Sequence, residues 1–72
     1  MPYTPITVAV DGQEVRLVTG CEVRHALNWV GGAALVRRVA SGQAIVWDET
    51  AGAPTDLGGA LYDGERLSIR PK

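Results

Sequence analysis

The sequence predicts an α+β fold in which one main helix covers a mixed sheet of four to five strands. Three observations predict it. Ile6, Val8 and Val10 alternate with Thr7 and Ala9 and run straight into Asp11-Gly12, the pattern of a half-buried strand entering a tight hairpin turn. Val23, Ala26, Leu27 and Val30 fall at i, i+3, i+4 and i+7, a single apolar helical stripe. Leu67 and Ile69 then alternate with Arg66, Ser68 and Arg70 after a second turn dipeptide, Asp63-Gly64. A lone amphipathic helix must bury its stripe, and the strands are the only surface on offer.

The chain has 72 residues, which predicts a single domain spanning 1–72. A chain this short buries only about 60% of its unfolded surface, so its core supplies roughly 3–5 kcal/mol. Association with a partner, or with a second copy, would supplement that. A hydrophobic fraction of 46% and a charged fraction of 21% belong to a globular protein. The formal net charge of −1 argues against a dedicated nucleic-acid binder, which needs clustered positive charge. No apolar run approaches a membrane span, and MPYTPITVAVDG lacks the basic start and long apolar core of a signal peptide. Cys21 is the only cysteine, so no internal disulfide is expected, which fits a cytoplasmic setting.

Taken in order, Pro2 and Pro5 bias the lead-in toward extended backbone. Ile6–Val10 is the first strand; Val15, Leu17 and Val18, separated by polar Glu14 and Arg16, belong to its antiparallel partner. Thr19-Gly20 breaks the pattern before the helix, Cys21 to Gly32. Gly31-Gly32 marks its end, because glycine takes the left-handed C′ conformation. Ala33–Gln43 fits either a second helical turn ended by Gly42 or a strand, Leu35–Val39, turning at Ser41-Gly42 into Gln43–Trp47. The strand is the expectation, because the β-branched and aromatic run Ala44–Trp47 wants a neighbour. Asp48 to Asp56 is turn chemistry throughout. Leu57 to Tyr62, with two glycines, predicts an irregular crossing with one short helical turn before the last strand.

This order, with ITVAVDGQEVRLVTG as the opening hairpin, resembles the β-grasp, or ubiquitin-like, fold of small bacterial domains. The Gly20, Val23, Ala26, Leu27 spacing is similar to their helix. Leu61, Asp63, Gly64, Glu65, Leu67 and Ile69 are similar to the ending of the thiamine and molybdopterin sulfur-carrier proteins and of TGS domains. The resemblance implies the fold more than a function. Sulfur carriers end in Gly-Gly, whose carboxylate is adenylated and thiolated; this sequence closes on Arg70-Pro71-Lys72. The expectation is therefore that carrier chemistry is not retained. The resemblance leaves two alternatives: a carrier-like protein whose tail is lost or truncated, and a TGS-like accessory domain touching RNA.

No catalytic constellation stands out. Cys21 and His25 are four apart at the helix start, the spacing of a thiol beside a base, but no third group orients them. Free cysteine is usually packing, and an inert thiol is expected. One Cys and one His fall short of a metal site. Asp48, Glu49 and Asp56 read as solvated turn residues, and Asp11 and Asp63 as fully explained by their turns. No cofactor is called for. The candidates left are aromatic and arginine side chains: Arg37, Arg38 and Trp47 on one predicted hairpin, and Trp29 off the helix stripe. The expected function is a non-enzymatic, ubiquitin-like module that binds a protein through a sheet face or edge strand.

Overall fold

The Asp11-Gly12 turn folds β1 (Pro5–Val10) back onto β2 (Gln13–Val18), pairing Val8 with Val15 and Val10 with Gln13. Asp11 at φ 50° and Gly12 at φ 84° are the two left-handed residues that such a hairpin requires. The computed structural model describes residues 3–72; Pro2, half of the predicted lead-in, lies outside the described residues. Beyond the hairpin come α1 (Val23–Ala40), β3 (Ala44–Asp48), β4 (Ala53–Thr55) and β5 (Arg66–Pro71). The strands form one sheet in the order β2-β1-β5-β3-β4. Only β1 and β5 run parallel; every other neighbour is antiparallel. The protein is thus α+β, a five-stranded mixed sheet covered by one helix.

Period-two alternation decides which side chains meet that helix. Ile6, Val8, Val10, Val15, Val46 and Leu67 are buried on the inner face, against Val23, Ala26 and Leu27 of α1. The parallel β1–β5 contact is short, with only Ala9↔Arg66 and Val10↔Leu67 in register. Two aspartates lengthen it. Asp63 Oδ1 accepts the Thr7 N–H at 2.8 Å, and Asp11 Oδ1 accepts the Ile69 N–H at 3.0 Å. Neither residue is explained by its turn alone: each carboxylate stands where the next ladder carbonyl would be. Asp63→Ala should cost about 1 kcal/mol in urea melts, with Asp63→Asn recovering most of it. An alanine variant melting with the wild type would mean the ladder needs no such extension.

The helix departs from expectation. Gly32 leaves helical geometry at φ 68°, ψ −168°, a region that essentially only glycine occupies, so the predicted break is real. The chain bends there and then resumes the helix to Ala40. A Cβ on Gly31 would fall 2.6 Å from Leu35 Cβ, so the second segment folds closely over the glycine pair. The expected strand Leu35–Val39 is therefore wrong. Ala33, Ala34, Leu35, Arg37 and Arg38 are strong helix formers, and that propensity outweighs the β-branched Val36 and Val39. The end is a Schellman motif: the Gln43 N–H bonds to the Arg38 carbonyl and the Gly42 N–H to that of Val39, with Gly42 at φ 83°.

Two loop expectations also change. Ala53–Thr55, inside the stretch read as turn throughout, pairs with β3 as the short edge strand β4. Leu57–Tyr62 holds no helical turn. Instead its carbonyls cap α1, with Val23 N–H bonded to Gly59 at 2.9 Å and Arg24 N–H to Leu57 at 3.0 Å. Among the described residues no helix is long and apolar enough to cross a membrane.

Candidate protein-contact surface

With α1 on one side of the sheet, the alternate side chains of every strand face outward, and among the described residues no layer covers them. Ile45 and Trp47 of β3 are half-buried there, whereas Ala44, Val46 and Asp48 point inward. Register places Pro54 of β4 opposite Trp47 on one side and Ser68 of β5 opposite it on the other. Arg70, opposite Ile45, lays its guanidinium over the Trp47 ring, 4.4 Å from the centroid. Glu49 holds that guanidinium: its Oε2 accepts from Ser68 Oγ at 2.6 Å and from Arg70 at 3.0 Å. Those two bonds, Ser68 first, hold the Glu49 carboxyl below its ordinary range. The result is an aromatic shelf with an oriented cation, on strands rather than loops.

The predicted candidates do not form one surface. Trp47 is on the outer sheet face, while Arg37 and Arg38 sit exposed in the last turn of α1, where they complement the helix dipole. The hairpin expected to join them does not exist. Trp29 projects from the helix with 70% of its surface exposed and borders a cavity lined by Gln13, Glu14, Val15 and Arg16 of β2. Arg70 and Glu49, which complete the Trp47 shelf, were not among the candidates; their shared outward parity with Ser68 and Trp47 becomes visible only once β3 and β5 are known to be neighbours.

The Cys21–His25 pair is not a helical i, i+4 pair, because α1 begins at Val23. His25 Nδ1 accepts the Glu22 N–H at 2.8 Å and so closes the helix start, leaving that nitrogen unable to take a thiol proton. Cys21 is half-buried against the core.

A cluster missed by sequence reading lies under the sheet's end. Asp48 and Glu65, expected in solvent and in a turn ending, are 6% and 2% exposed. Asp48 Oδ1 accepts the N–H groups of Thr50 at 2.9 Å and Ala51 at 3.0 Å, and the Tyr62 hydroxyl donates to Oδ2 at 3.0 Å. Glu65 Oε1 accepts the Tyr62 N–H at 3.3 Å, and its carboxyl lies beside that of Asp48. Burial first, then Asp48, raises the Glu65 carboxyl to about 7. Burial also pushes Asp48 upward, but its bonds from Ala51, Glu65, Tyr62 and Thr50 outweigh that and leave it lowered. Below about pH 7 Glu65 therefore keeps its proton beside the Asp48 carboxylate, and the pair ties the β3–β4 turn to the segment before β5. The available signal was parity: Asp48 shares a face with Ala44 and Val46, and Glu65 with Leu67.

No protein-family model and no curated protein sequence matches this chain.

Proposed function

We propose that this chain is a non-enzymatic, ubiquitin-like protein-interaction module of the β-grasp type that works in the cytoplasm. The sheet order, with β1 and β5 parallel at its centre and a single helix crossing one face, supports the fold reading. The observation that carries the function is the uncovered Trp47–Arg70–Glu49 arrangement. Its side chains are already oriented by one another, so little rotamer freedom remains to be lost on binding. Tryptophan and arginine are the residues that most often dominate protein contacts.

The test compares proteins captured from native cytosol by the wild type, Trp47→Ala, Arg70→Glu and Arg38→Glu, each variant first checked for retained fold. A captured protein is then purified and its affinity measured directly. Trp47→Ala is expected to weaken binding roughly thirtyfold, about 2 kcal/mol. If Trp47→Ala and Arg70→Glu bind normally while Arg38→Glu does not, the contact lies on the helix side instead. Normal binding by all three would rule out both surfaces.

A further inference from the structure

The two edges of the sheet are built differently. β4 is three residues long and contains Pro54, features that discourage another strand from pairing with it. β2 is six residues long, has no proline, and among the described residues nothing lies beyond it in the sheet. The Thr19 N–H bonds to the Thr4 carbonyl at 2.9 Å, which sets the phase of the hairpin: odd-numbered β2 residues direct their backbone groups to β1. The amide and carbonyl groups of Glu14 and Arg16 therefore point to the open edge. Their side chains lie on the outer face, opposite Ala9 and Thr7, and neither forms an ion pair among the described residues.

We infer that β2 is a self-pairing edge that joins two copies of this chain into one continuous sheet, antiparallel across the β2–β2 seam, in a two-fold register centred on Val15. The phase of the free backbone groups restricts two-fold pairings to a short set. Centring on Glu14 sets glutamate against glutamate. Centring on Arg16 sets arginine against arginine, and centring on Leu17 puts Arg16 opposite Val18. Only the Val15 centre places Glu14 of each copy directly opposite Arg16 of the other. Both pairs then exchange backbone bonds and carry a cross-strand ion pair, whereas like charges directly opposite are destabilising. The contact is isologous, as closed dimers usually are. On the helix side, the second strand would occupy the open space bordered by Gln13, Val15 and Trp29, covering the most exposed large apolar side chain. This contact is separate from the Trp47 shelf and stands whether or not that shelf binds a partner.

Sedimentation equilibrium over a concentration series provides the test, with circular dichroism confirming each variant's fold. Wild type is expected to show a monomer–dimer equilibrium that weakens with salt. Glu14→Arg alone and Arg16→Glu alone should each weaken it at least tenfold, because each sets like charges opposite one another. An equimolar mixture of those two variants should restore a dimer, since the all-arginine edge then faces the all-glutamate edge. The double exchange, Glu14→Arg with Arg16→Glu, should also dimerise. A wild type that stays monomeric to millimolar concentration overturns the proposal. So do single variants that dimerise like wild type, or a mixture that remains monomeric.

Discussion

The folded chain is expected to lose about 3 kcal/mol of stability as pH rises from 4.5 to about 7. In the unfolded chain Glu65 releases its proton at its ordinary value of 4.5, whereas the folded state holds it up to about 7. Between those values the native state binds the extra proton, so each pH unit removes about 1.4 kcal/mol. The Glu65 contribution is therefore complete below 4.5 and gone above 7. Asp48 runs the other way: lowered from 3.8, it stabilises above that value and is lost as pH falls through its folded-state value. Maximum stability should lie near pH 4–5, an acid optimum for a protein whose net charge is only −1. Urea melts between pH 4 and 8 would show the slope. Glu65→Gln keeps a donor toward Asp48 and an acceptor for Tyr62 N–H but cannot titrate, so its stability should be nearly flat from pH 5 to 8. A variant with the wild-type slope would place the titrating group elsewhere.

Leu27→Ala should cost roughly 2–5 kcal/mol, comparable to the whole stability of a chain this size. Leu27 is fully buried and heads the largest side chains of the core, with Val23 and Ala26 beside it on the first segment of α1. Deleting its branched end leaves a void that the sheet cannot close, because the neighbouring positions of β1, β5 and β3 are fixed by their ladders. Denaturant melts with an unchanged slope but a far lower midpoint are the expected reading. A loss under about 1 kcal/mol would mean the helix is not held by packing on the sheet.

The hairpin, the helix stripe and the last strand were legible because each is a local signal: alternation into an Asp-Gly turn, or apolar residues one helical turn apart. The stretch after Gly32 was not. A glycine pair serves equally to end a helix or to bend one, because glycine reaches without strain the positive-φ conformations that either requires. The choice between those outcomes rests on the surface that the next segment finds. Leu35, Val36 and Val39 find one, half-buried against the core. The Trp47 shelf was half legible. Trp47 was singled out, but its companions were expected on a hairpin, whereas they come from β5 and the turn after β3.

By itself the sequence determined the β1–β2 pairing, the face of α1 that is buried and the alternation of β1 and β5, since all three are local signals within a few residues. Only the tertiary structure decided which strands are neighbours, and with that the chemistry. Thr7 and Asp63 are 56 residues apart, yet one bonds the other because β5 closes in parallel against β1. That same closure brings the loop before β5 under the end of β3 and shuts Glu65 and Asp48 away from water together. A side chain's periodicity says which way it points; whether a carboxylate pointing inward becomes a shared proton or a fault in the core depends on what the chain brings to it from far away.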